Sequence, residues 1–202
     1  FGSGYDWGSI ALANVKMAGE IANNVPIQII NDSTIPGVPS DCSNEGAYND
    51  LGGANGIIGV NPLPYDQGNY YSCSGSSCTL NSSITTAQQV VSPVYKFSTD
   101  NNGVIVALPQ VPSTGATSLS GTLTFGIGTQ SNNQLTAQNV FTSNGTEQDG
   151  SFTTTYDGGS YDSIFDTGST ELFFDNPSNN PALTTCSDNT SFYCPSTTTT
   201  IT

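Results

Sequence analysis

The 202-residue chain has no histidine and no arginine, and its only cations are Lys16 and Lys96, set against 16 Asp and Glu for a formal net charge of −14. Without imidazole the chain cannot assemble a Ser-His or Cys-His nucleophile pair, nor the usual catalytic zinc site. Acid-base chemistry therefore falls to carboxylates. A Ser-Lys hydrolase needs no His, but no Ser-x-x-Lys spacing precedes either lysine. A field of one sign with no guanidinium groups repels phosphate backbones and anionic headgroups, so no nucleic-acid partner is expected. No apolar run approaches the roughly 20 residues of a membrane span, and no basic segment leads into an apolar one at Phe1. Cys-x-x-Cys is also missing, so neither a metal nor another cofactor is expected.

What remains is 22 Gly, 11 Pro and long runs of Ser, Thr and Asn, with charged residues at only 9%. That profile is the one of extracellular β proteins. Hydrophobic residues make up 35%, and 9 Tyr and 9 Phe gather in short runs rather than being diluted, which argues for a folded chain. Carboxylates begin to neutralise near pH 4, so self-repulsion relaxes in acid and the fold should tolerate low pH.

Five cysteines fit an oxidising compartment. Cys73 and Cys78 flank Ser-Gly-Ser-Ser, and Cys186 and Cys194 bracket a short segment, so each pair can close a local loop. Cys42 is left over, either as a free thiol or as half of a bridge to a residue elsewhere.

β-branched and aromatic clusters between turn residues predict strands over 9–17, 26–30, 94–98, 103–108, 121–127, 138–141, 152–156, 163–165 and 171–174. The Asn-Gly chemistry at 99–103 predicts a hairpin there. One short helix is expected over 84–91, stopped by Pro93. Segments 31–56, 61–83 and 110–120 read as loops, and 195–202 as a strand or linker. Four Asn-x-Ser/Thr sequons begin at Asn31, Asn81, Asn144 and Asn189, a number that chance largely supplies in so Asn- and Ser-rich a chain. The Asp-rich patches at 100–102 and 157–162 lack the spaced ligands of a calcium loop and read as turns.

The sharpest motif is Ser163-Ile164-Phe165-Asp166-Thr167-Gly168-Ser169-Thr170, followed by Leu172-Phe173-Phe174. An apolar residue before the Asp puts the acid where a strand leaves the core. Gly168 permits close backbone approach, and the Thr167 and Ser169 hydroxyls can hold a carboxylate. A plain turn after a strand uses the same residue types.

The likeness runs past this tetrapeptide. Phe1-Gly-Ser-Gly-Tyr-Asp-Trp-Gly8, Asn14-Val-Lys-Met-Ala-Gly19, Val25-Pro-Ile-Gln-Ile-Ile30, Asn55-Gly-Ile-Ile-Gly-Val60, Ser92-Pro-Val-Tyr-Lys-Phe97, Asn101-Asn-Gly-Val-Ile-Val106 and Gly121-Thr-Leu-Thr-Phe-Gly-Ile-Gly-Thr-Gln130 succeed one another before Asp166. This order resembles a pepsin-like aspartic protease read from its flap onward, and more closely a bacterial aspartic-protease-like family of unknown function. The resemblance implies an all-β, bilobal β-barrel architecture, with 1–109 as the end of the first lobe and 110–202 as the start of the second. It implies Tyr5 and Trp7 on a flap, Ile57-Ile58-Gly59 as the brace of the first catalytic loop, and Asp166 as one catalytic acid with Thr167, Gly168 and Ser169 supporting it.

That family's chemistry needs two carboxylates sharing a proton. The resemblance places the other acid ahead of Phe1 and the second brace beyond Thr202, so the chain reads as a fragment, inactive by itself, whose partners are the remainder of the same protein and a peptide substrate. A symmetric dimer sharing two copies of Asp166 is the competing arrangement. Chain order argues against it, because viral-type subunits carry loop before brace and here the brace comes first. A noncatalytic extracellular binding or surface-structural protein on the same fold is the rival reading of function.

Overall fold

In a computed structural model the chain forms two compact units, Phe1–Ala137 and Gln138–Thr202. The structure describes residues 4–43, 46–47, 51, 53–60, 62–66, 68–112, 114–136, 139–143, 150–167, 172–176 and 181–201. Among these the protein is all-β, with four antiparallel two-stranded sheets and no α-helix.

The first unit is organised by a long hairpin, β1 (Gly8–Met17) with β2 (Glu20–Ile30), turning at Ala18 and Gly19. Alternation along β1 sends every second residue outward, and a bulge between Ala13 and Val15 shifts the register. Ala22 and Val25 on β2 enter a core completed by Val91, Val94 and Phe97, with Val15, Met17, Ile27, Val60, Tyr65, Val104 and Phe125 packed around it.

Val94 and Phe97 reach that core from a 3-10 turn, Pro93–Lys96, where a strand over 94–98 was expected. Pro93 supplies a helical φ and no N–H, and the three-residue spacing of Val94 and Phe97 brings both apolar side chains to one face. With no strand on that side, the hairpin expected at 99–103 does not form. Instead β5 (Val104–Ala107) pairs with β6 (Thr122–Phe125), so the 109/110 position lies in the connection between paired strands. Phe97 meets Phe125 edge-on at 5.1 Å. Buried Asn133 fastens the segment after β6 by donating to the Phe125 carbonyl and the Thr129 hydroxyl and accepting from the Gln130 N–H.

The helix expected over 84–91 is replaced by a single turn. The Gln88 side-chain carbonyl accepts from both the N–H and the hydroxyl of Thr85, and the Gln88 N–H donates back to the Thr85 carbonyl at 2.9 Å. β-branched Val90 and Val91 then run extended, Val91 bridging to Tyr65 on its way into the core. Within the segment 61–83, read as a loop, β3 (Tyr71–Ser74) and β4 (Ser77–Leu80) form a hairpin clamped by the Cys73–Cys78 disulfide between directly opposed residues.

In the second unit β7 (Phe152–Tyr156) pairs with β8 (Gly159–Ser163) across an Asp157-Gly158 turn. Both turn residues have positive φ, 48° and 75°, the backbone that twists two strands into register and that Gly158 adopts without strain. Only Ser163 of the expected strand 163–165 belongs to β8. Segments 139–141 and 172–174 are not strands either, having no partner among the described residues, while Gln138 and Glu171 lie outside them. Phe152, Phe141 and Phe165 cluster with ring centroids 4.7 to 5.8 Å apart. A second aromatic group joins Tyr156 edge-on to Phe174 and Phe174 to Tyr193, next in sequence to the Cys186–Cys194 disulfide.

Candidate functional site

Asp166 lies three residues beyond β8, at the surface of the second unit, and leads into a turn at Thr167. Its position is set by Phe165, whose ring stacks on buried Phe152 at 4.7 Å with an interplanar angle of 29°, while Phe141 meets both. The backbone thus leaves the hairpin from an aromatic anchor, and the carboxylate follows at the exposed end. The two residues before it are apolar and uncovered, Ile164 at 61% and Phe165 at 74% exposed, and Leu172 and Phe173 further along the chain are exposed as well. Gly168 and Ser169, expected to support the carboxylate, lie outside the described residues.

The expected brace, Ile57-Ile58-Gly59, lies in the first unit as an exposed segment without strand pairing. Only Val60 of that stretch packs on the core. Tyr5 and Trp7 belong to the same unit. Tyr5 bridges to Ala47, and Trp7 precedes β1, donating from its indole nitrogen to the Pro36 carbonyl at 2.9 Å and standing edge-on to Tyr71 at 5.4 Å. Phe1 to Ser3, the start of the expected flap, lie outside the described residues.

These aromatics instead help wall a groove of about 850 Å³ in the first unit. Its floor comes from the starts of β1 and β3, and Asp6, Asp41, Asp66, Tyr70 and Cys42 complete it. Tyr70 is fixed by two bonds, its hydroxyl donating to Asp66 and accepting the Val90 N–H at 2.6 Å. Burial, with Asp66 adding to it, pushes this phenol far above the ordinary tyrosine range. Burial raises Tyr71 too, helped by the neighbouring Asp41 and Cys42. Cys42 is half-buried and carries a free thiol. Next to Ser9, which lines the groove, Asp32 accepts from the Ser9 hydroxyl and from the Thr34 hydroxyl and N–H, which hold its carboxyl below the usual range. Composition could have hinted at this groove, since Tyr5, Asp6, Trp7, Asp66, Tyr70 and Tyr71 are aromatic–acid clusters in sequence; what joins them is the β3–β4 hairpin.

Both local cysteine pairs are disulfides, and no helix of the described residues is long and apolar enough to cross a membrane. Neither the curated proteins nor the solved structures contain a match to the chain. The family comparison does: residues 1–202 match throughout, and the chain belongs to the family described as protein of unknown function (DUF3443).

Proposed function

We propose that the chain is part of an extracytoplasmic aspartic-protease-like protein in which Asp166 is one of two carboxylates that activate water against a peptide bond. One carboxylate takes a proton from water as its oxygen adds to the scissile carbonyl. The other, protonated, gives its proton to the carbonyl oxygen. The tetrahedral diol then collapses, the C–N bond breaks, and the nitrogen leaves with a proton from the dyad. Low pH suits this chemistry, because one of the two acids has to keep its proton.

The observation that carries the reading is the seating of Asp166: an acid held at the exit of a hairpin next to Phe165, which stacks on Phe152, with exposed Ile164 and Phe165 preceding it for a second lobe to cover. Two disulfides support an oxidising compartment. The test is cleavage of a denatured protein by the full-length natural product at about pH 4, with and without Asp166→Ala. Loss of at least about 100-fold supports the role. Unchanged cleavage after the substitution removes Asp166 from the reaction. The second reading, a noncatalytic binding protein on this scaffold, is favoured by the groove of the first unit, and it stands if the intact protein cleaves nothing.

A further inference from the structure

The second unit holds a cavity of about 550 Å³ that Asp166 does not line. Its floor is one face of the β7–β8 hairpin. Thr154 stands directly opposite Tyr161, and Tyr156 and Ser163 follow on the same face by the two-residue period of a strand. The Tyr161 ring lies over Gly159, where an added methyl group would meet it at 3.0 Å. The facing wall is built from Phe173, Phe174 and the loop closed by the Cys186–Cys194 disulfide, in which Thr185 bridges to Tyr193.

Both walls are fastened by the chain itself. The Tyr156 hydroxyl donates to the Asn176 side-chain oxygen at 3.1 Å, and the Asn176 amide donates to the Pro181 carbonyl at 3.0 Å. Phe174 meets Tyr156 at 5.7 Å and Tyr193 at 5.5 Å, so the three rings hold one another in place. Partial desolvation raises the Tyr156 phenol, and Asp157, Tyr193 and Tyr161 add to it, which marks three phenols gathered at the cavity.

The lining selects a class of ligand. Rings are interleaved with hydroxyls: the Thr154 and Ser163 oxygens lie 2.6 Å apart on the floor, and Thr185, Thr190 and Ser191 belong to the facing wall. A wholly apolar ligand would cover such groups without pairing them. An anion would meet no counter-charge, because the two cations of the chain, Lys16 and Lys96, both belong to the first unit, while Asp162 and Asp175 line the cavity. A neutral sugar satisfies both conditions. It presents an apolar C–H face to rings that remain open to solvent, Tyr193 at 39% and Phe173 at 75% exposed, and a rim of hydroxyls that both donate and accept.

We infer that this cavity binds a neutral saccharide of about two rings, a size that pockets of about 300 Å³ and more accommodate, with Tyr193 stacking on a sugar face and the threonine and serine hydroxyls meeting those of the sugar. The inference does not depend on Asp166 or on hydrolysis.

The test is titration calorimetry on the whole protein near neutral pH with cellobiose, maltose and diacetylchitobiose, beside digalacturonate and the blocked peptide acetyl-Leu-Lys-Leu-amide. At least one neutral disaccharide should bind with a Kd of about 5 mM or tighter. Digalacturonate should bind at least about tenfold more weakly than that sugar. Tyr193→Ala should weaken the sugar by about tenfold. Phe192→Ala removes another exposed ring of the same disulfide loop, one that does not line the cavity, and should leave affinity unchanged. Failure of all three neutral sugars to reach that affinity, equal binding of digalacturonate, equal losses in the Tyr193→Ala and Phe192→Ala variants, or binding of the peptide alone overturns the inference. The ligand panel on the unsubstituted protein decides by itself if Tyr193→Ala does not fold.

Discussion

Truncating Phe97 to alanine should destabilise the first unit more than any surface change, because so little of that unit is fully buried. Phe97 is 3% exposed and one of five residues that make up its buried cluster. Phe97→Ala withdraws about 120 Å² of apolar surface, which at about 25 cal/mol per Å² is about 3 kcal/mol. The edge-on contact with Phe125 and the cavity left beneath β6 bring the expected cost to about 4 kcal/mol. The assay is urea unfolding followed by fluorescence of Trp7, the single tryptophan of the chain, which lies in the same unit. With a slope of about 2 kcal/mol/M the midpoint should fall by about 2 M. A fall of less than about 0.5 M would show that the 3-10 turn is not anchored by this ring, and the account of the core would be wrong.

A methyl group at Gly8 would lie 1.9 Å from the Ile29 carbonyl oxygen, backbone against backbone, so Gly8→Ala should cost about 1–3 kcal/mol and loosen the Asn31–Trp7 bond at the base of the hairpin, read by amide exchange at Asn31. Ser9→Ala and Thr34→Ala should each return the Asp32 carboxyl toward about 3.9 in a carboxyl NMR titration. Because the folded-state pKa of Asp32 is depressed, its contribution to stability is present above its unfolded pKa and lost as pH falls through the folded one. Tyr70 has the opposite sign: its phenol is raised, so its contribution holds below the ordinary tyrosine pKa of about 10 and declines above it. An alkaline absorbance titration should count as many tyrosines ionising in the wild-type protein as in Tyr70→Phe, although the variant has one tyrosine fewer.

Most of the strand content was legible because it rests on local pattern. The alternation of 9–17 and the β-branched run of 152–156 give β1 and β7 nearly to the residue. β8 was not recognised, although Asp157-Gly158 is the strongest short hairpin signal in the chain, because its strand is Gly-Ser-Tyr-Asp-Ser and carries one aromatic. β3 and β4 hid the same way: Tyr71 to Leu80 is mostly Ser, Cys and Gly, and the disulfide, not side-chain burial, holds the two strands together. The reading of 94–98 failed for another reason. Its apolar residues suit either period, and only tertiary packing shows that Val94 and Phe97 are wanted on one face. For the site, the sequence pointed to Asp166, whereas the first-unit groove gathers residues from Gly4 to Val90 that no local pattern joins.

Each sheet among the described residues is a ribbon of two strands, so neither of its margins is paired with a further strand among those residues. On the longest of them Ile10, Leu12, Ile21 and Ile29 also face outward. Mutual repulsion among molecules bearing 14 excess negative charges keeps such ribbons apart at neutral pH. Near the isoelectric point of about 4.1 that barrier vanishes, and solutions of the protein should turn cloudy there by strand-to-strand association even while each molecule stays folded.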